Sequence, residues 1–167
     1  TMENVDFLII GGGVVGLTIA RELKLQYKDQ SIVVLEKEPQ PGMHGSGRNS
    51  GVLHSGVYYE PSSLKARMCA QGAKEMAEYC SAHGLPLVRP GKILLPTRSE
   101  DAAQLNVLET RGKANGVEVQ RINETELHDL EPDVQSATGS ALKVFSTSVV
   151  SPAKVMNRLS QDLRDLG

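Results

Sequence analysis

The sequence predicts an α/β fold built on a parallel sheet, and three observations predict it. A short apolar run at residues 5–10 ends at three glycines. An amphipathic stretch at residues 14–27 follows, and a second apolar run occupies residues 32–35. Strand, helix and strand at this spacing make a βαβ unit, whose strands are parallel and whose crossover is right-handed.

Each element has a local reason. Residues 5–10 and 32–35 are short, continuous apolar runs bounded by turn residues, so both read as buried strands. In the first helix Val15, Ile19, Leu23 and Tyr27 recur at four-residue steps and form its apolar face, while Arg21, Glu22, Lys24 and Lys28 point elsewhere. Residues 38–63 form a Gly-, Pro- and Ser-rich loop, long for a structureless connection and therefore read as functional. Ser62 or Ser63 caps a helix that runs to about Ala82 and stops at His83-Gly84. Short strands are expected at 93–95, 117–119 and 141–145, and helices at 99–114 and 124–130. Ser151-Pro152 opens a last helix, with Ser as N-cap and Pro at the first helical position.

The chain has 167 residues, 40% of them hydrophobic and 23% charged, which suits one soluble domain with a real core. A net charge of -2, scattered basic residues, no Trp and two Phe exclude a nucleic-acid surface. The two cysteines, Cys69 and Cys80, match no metal or redox spacing, and no metal site is expected. Eleven residues apart on one helix, they share a face and read as core packing. Residues 1–7 carry acids rather than a basic leader, and no run approaches the roughly 20 apolar residues of a membrane span. The reading is a cytoplasmic protein, with peripheral attachment to the cytoplasmic face of a membrane left open.

The chemistry starts at Gly11-Gly12-Gly13-Val14-Val15-Gly16, a GxGxxG that follows a strand and opens a helix. Gly11 permits the tight turn, Gly13 lets the backbone approach a pyrophosphate, and Gly16 lets helix and strand pack closely. The helix N-terminus offers free N–H groups and partial positive charge to the phosphates. Glu36 ends the second strand 20 residues past Gly16, placed to accept hydrogen bonds from ribose hydroxyls and to repel a 2′-phosphate.

The fingerprint alone does not separate FAD from NAD. The loop that follows does. Ser46, Gly47, Arg48, Asn49, Ser50, Gly51 and Val52 are mostly small and lie where a NAD enzyme has an ordinary helix. Such a backbone can run along the pyrophosphate toward an isoalloxazine ring. The expected cofactor is therefore FAD, held by Gly11, Gly13, Val14, Val15, Gly16, Glu36, Lys37 and residues 46–52.

The block from Arg48 to Ala70, RNSGVLHSGVYYEPSSLKARMCA, resembles the L-2-hydroxyglutarate dehydrogenases (also called oxidases) within the D-amino-acid-oxidase-like flavoenzymes. The Pro90-Gly91-Lys92 turn and the Val150-Ser151-Pro152 segment fit the same resemblance, while Leu53-His54-Ser55-Gly56 is also similar to FAD-dependent glycerol-3-phosphate dehydrogenases. The resemblance covers only the N-terminal part of that family. It implies a Rossmann-like FAD-binding domain and hydride transfer from a 2-hydroxy acid to flavin, with an electron acceptor the sequence does not name. His54 is the candidate base, and Tyr58 and Tyr59 are candidates for substrate contacts. His44, His83 and His128 read as a loop residue, a helix C-terminal residue and a surface residue.

The implied organisation is a FAD-binding βαβ unit and flavin loop at 1–84, a partial substrate domain at 85–145, and a return to the first domain at 146–167. The last helix has no strand to cross over to, so the chain reads as an N-terminal portion of a larger protein or a product cut short. Two other readings stay open at this point. One is a related amine or amino-acid oxidase or glycerol-3-phosphate dehydrogenase. The other is a non-catalytic FAD-binding fragment.

Overall fold

The computed structural model describes residues 4–167, so the reading of the acidic start lies outside it at residues 1–3. The chain divides into two compact units.

The first unit holds residues 4–51, 83–86 and 150–167. Strands β1 (Phe7–Ile10) and β2 (Ile32–Leu35) pair in parallel, with Phe7 opposite Ile32 and Ile10 opposite Leu35. Helix α1 (Val14–Gln26) makes the crossover between them, as the sequence pattern requires. It packs against α5 (Pro152–Leu166), the last helix of the chain.

Two expectations are corrected here. The apolar face Val15, Ile19, Leu23, Tyr27 is not the buried face of α1: Val15 is 67% exposed and Ile19 47%. The buried residues are Leu17 and Ala20, matched on α5 by buried Val155, Met156 and Leu159. The helix docks on another helix through Leu17 and Ala20, and Arg21 Nε lies 3.8 Å from the Asp162 carboxylate of α5. Nor are the strands buried on both faces. Phe7 and Ile9 are half-buried, whereas Leu8 is 53% and Ile10 84% exposed. Successive strand residues point to opposite sides, so β1 is covered on one, whereas Ile32, Val33 and Val34 of β2 are all half-buried.

The second unit holds residues 52–82 and 87–149. Its elements are β3 (Val52–Leu53), α2 (Leu64–Ala82), β4 (Leu87–Val88), β5 (Lys92–Leu94), α3 (Ala102–Ala114), β6 (Val119–Asn123), α4 (Glu124–Leu130), β7 (Ser140–Val144) and β8, which runs Ser148–Val150 across the unit's edge. One sheet has the order β3-β8-β4 and the other β5-β7-β6. In the second sheet the central β7 is antiparallel to both neighbours. Leu142 and Val144 of β7 are fully buried with Val57, Leu105 and Val117. A Cβ on Gly112 of α3 would stand 3.0 Å from Val119 and 3.2 Å from Val57, so only glycine fits there without a shift.

Local signals explain the helix limits. Ser63 Oγ accepts from the Ala66 amide at 3.1 Å and caps α2. Asn123 and Glu126 form a reciprocal capping box at the start of α4. The expected 99–114 helix splits into a 3-10 turn, Ser99–Asp101, and α3. Ser151 stands at the N-cap of α5, but its side chain makes no capping bond.

The candidate cofactor cradle and the His54 loop

In the first unit the glycine turn is built as its spacing suggests. Gly11 has φ +105°, a left-handed conformation that favours glycine, and its amide donates to the Leu35 carbonyl at 2.7 Å. A Cβ on Gly16 would lie only 1.9 Å from the Gly11 carbonyl oxygen and 3.3 Å from Ile9, so the close packing of helix on strand needs a glycine. At Gly13 a Cβ would meet Ser46 Oγ at 3.1 Å, a tight approach that a side chain there could relieve only by displacing Ser46.

Glu36 and Ser46 are tied into this turn. Glu36 accepts from the Gly12 amide at 2.7 Å and from the Glu38 amide at 3.0 Å. These amides, Glu38 first and Gly12 second, hold its carboxyl below the ordinary range and keep it ionised. A carboxylate offers about four lone-pair sites, so Glu36 retains acceptors for ribose hydroxyls. Ser46 Oγ accepts from the Val14 amide at 3.0 Å, a bond the sequence did not reveal. The amides of Gly13, Val15 and Gly16 have no protein acceptor among the described residues. Unacceptored amides at a helix N-terminus are an anion cradle, which is what a dinucleotide pyrophosphate requires. These residues fit FAD.

The loop beyond Glu36 is self-bonded. Asn49 Nδ2 donates to the carbonyls of Gly45 and Ser46, and its Oδ1 accepts from the Gly51 amide at 2.8 Å. Gly51 has φ +70°, and a Cβ there would stand 2.1 Å from the Val150 carbonyl oxygen. A Cβ on Gly47 would likewise stand 2.2 Å from the Gly42 carbonyl oxygen. Lys37, Arg48 and Ser50 are exposed. His44 Nε2 lies 2.8 Å from Glu38. His83 lies just past α2, with its Nε2 3.4 Å from the Asp162 carboxylate.

The second unit positions the other candidates. His54 and Tyr58 are exposed, and Val57 between them is fully buried in the core. The loop is thus pinned by one apolar plug. Helix α3 clamps it further: Asn115 Nδ2 donates to the carbonyls of Gly56 at 3.1 Å and Tyr59 at 2.9 Å. Arg111 donates to the Tyr58 carbonyl at 3.3 Å and pairs with Glu60. The Cys69 thiol, half-buried on α2, donates to the His54 carbonyl at 3.1 Å. Cys80 is buried, as core packing predicts, whereas Cys69 serves the loop. Burial raises both thiols above their ordinary value.

His54 and Tyr58 meet edge to face, ring centroids 6.5 Å apart. Lys92 Nζ donates to the Tyr58 hydroxyl at 2.9 Å, and Lys65 Nζ lies 4.7 Å from the Tyr59 ring centre. The sequence marked Lys92 only as part of a turn. Its approach to Tyr58 spans 34 residues of chain, so no local pattern could show it.

The model of the family described as FAD dependent oxidoreductase matches residues 6–167. Among curated relatives, the mitochondrial L-2-hydroxyglutarate dehydrogenase of Nematostella vectensis is 39% identical, over 99% of this chain and 36% of its own length. The L-2-hydroxyglutarate dehydrogenase of Escherichia coli K12 is 37% identical, over 97% of this chain and 38% of its own. The chain thus spans little more than a third of these relatives. Among solved structures, the reduced L-alpha-glycerophosphate oxidase of Mycoplasma pneumoniae with FAD bound superposes with a TM-score of 0.87 at 28% identity, covering 99% of this chain and 44% of that one. The glycine oxidase of Geobacillus kaustophilus gives 0.84 at 26% identity, covering 99% and 46%. Glycine turn, carboxylate, parallel pair and family match converge, and the chain belongs to the FAD-dependent oxidoreductases.

Proposed function

We propose that the whole protein oxidises a 2-hydroxy acid, L-2-hydroxyglutarate, to the corresponding 2-oxo acid. One observation carries this reading. Identity to an L-2-hydroxyglutarate dehydrogenase runs over 166 residues, taking in both the glycine cradle and the His54 loop. FAD, when bound, accepts the hydride from the substrate carbon.

The chain's own residues hold and prepare the reactants. Gly13, Val15 and Gly16 offer amides to the pyrophosphate, and Glu36 takes the ribose. Lys37 and residues 46–52 supply further cofactor contacts. His54 accepts the hydroxyl proton: its ring is exposed, and neither ring nitrogen has a hydrogen-bond partner among the described residues. Tyr58 and Tyr59 contact the substrate. The electron acceptor and a cytoplasmic or membrane-face location belong to the same proposal. Among the described residues no helix is long and apolar enough to cross a membrane.

A second reading rests on the two superposed structures, which act on glycerophosphate and glycine by their names. Anaerobic spectra of the flavin-loaded whole protein separate the readings. Bleaching of the flavin bands by L-2-hydroxyglutarate, and not by glycine or glycerol 3-phosphate, is expected. Bleaching by one of the others alone would replace the substrate. Bound flavin that no substrate bleaches would favour a binding role only.

A further inference from the structure

We propose that Lys92 and Lys65, set against Tyr58 and Tyr59 beside His54, form a carboxylate-binding pair that selects a dicarboxylic 2-hydroxy acid. The inference rests on the 2-hydroxy-acid reading and adds to it the groups that read the substrate's charge.

Several cations of the second unit are neutralised: Arg111 by Glu60, Lys113 and Arg121 by Glu109, Arg98 by Glu100 and Asp101. Lys92 and Lys65 have no carboxylate within 4.0 Å among the described residues. Their company is aromatic. Lys92 Nζ sits 4.3 Å from the Tyr58 ring centre and bonds its hydroxyl, and Lys65 Nζ sits 4.7 Å from the Tyr59 ring centre. An ammonium has three donors, and Lys92 spends one on a neutral phenol. Ring faces hold the two charges in place without cancelling them, so each stays available to an anion.

Both charges also act on one thiol. Each acts on the Cys69 thiol, favouring its thiolate against the larger effect of burial, and that thiol is bonded to the His54 carbonyl. The one acid next to the two tyrosines in sequence, Glu60, is turned to Arg111. Tyr58, edge-on to His54, thus carries the Lys92 ammonium, and the next residue, Tyr59, carries that of Lys65, neither charge compensated by a carboxylate. A substrate with two carboxylates and a hydroxyl between them complements that set. A monocarboxylate would leave one ammonium unused.

The test is calorimetric titration of the protein with 2-oxoglutarate, with L-lactate as the monoanionic probe. The parent is expected to bind 2-oxoglutarate more tightly than L-lactate. Lys92→Met and Lys65→Met should each weaken 2-oxoglutarate by about tenfold, the loss of one charge-assisted contact, while Lys92→Arg keeps most of the affinity. Steady-state rates should show the same loss in KM with kcat little changed. Unchanged 2-oxoglutarate affinity in folded Met variants, or equal affinity of the parent for the two probes, overturns the pair. Failure of the activity reading looks different: 2-oxoglutarate still binds through the lysines, but L-2-hydroxyglutarate leaves the flavin bands unbleached.

Discussion

Gly16 shows how little freedom single positions in the cradle have. A methyl group there would overlap the Gly11 carbonyl at 1.9 Å, so Gly16→Ala must push α1 away from β1. We expect a loss of about 1–3 kcal/mol in urea unfolding, together with weaker FAD binding; full stability in that variant would show that the turn relaxes freely. Glu36 gives a pH-dependent counterpart. Its carboxyl is held below the ordinary 4.5 by the Glu38 and Gly12 amides. A depressed folded value means that these bonds stabilise the fold above pH 4.5 and fade as pH falls through the folded value. Glu36→Gln should therefore lower the thermal midpoint near neutrality and converge with the parent in acid. A gap of constant size down to about pH 3, well below the reference carboxyl value, would refute the assignment. The sequence spacing anticipated that Glu36 and the glycines meet at one strand-to-helix turn, because spacing after a strand reports backbone geometry. It could not place Ser46, which reaches the Val14 amide from 32 residues away.

Among the elements, α1 carries the sharpest lesson. Its four-residue apolar repeat is real, yet the helix buries Leu17 and Ala20 on α5 and leaves Val15 exposed. Periodicity finds a helix's apolar side only when one side is apolar, and α1 is apolar on two. Leu17→Ala should cost about 2–5 kcal/mol, as a truncated core leucine does, whereas Val15→Ala should stay within about 0.5 kcal/mol. Chemical denaturation of both variants decides which face is core; equal losses would contradict the packing. Helix α4 was legible to the residue because its ends are locally encoded. Asn123→Ala, which removes the capping box, should cost about 1 kcal/mol.

At the scale of the whole molecule, the glycine cradle and the His54 loop belong to different compact units. The two halves of the proposed chemistry should therefore fail separately. Gly13→Val should abolish flavin retention in the whole protein. His54→Gln should keep the flavin and slow substrate oxidation by about 100-fold or more, the usual worth of a general base. Loss of flavin in the His54 variant, or normal flavin content in the Gly13 variant, would break that separation. The sequence expectation drew its boundaries after residues 84 and 145, while in the folded chain residues 52–82 group with 87–149.

What the sequence determined by itself was everything encoded within a few residues of chain. The βαβ unit, the glycine turn, the carboxylate at its strand end and the limits of α2, α4 and α5 follow from local dihedrals, caps and turn residues. The tertiary structure decided what depends on partners far along the chain. Strands β3 and β8 exist because Val52 meets Val149, and no pattern two or three residues long could announce them. The same holds for Asn115 and Arg111 gripping the loop from more than 50 residues away, and for Lys92 arriving at Tyr58. Local hydrogen bonds and steric limits are written in neighbouring residues; long-range burial and charge pairing arise only when the folded chain brings distant ones together.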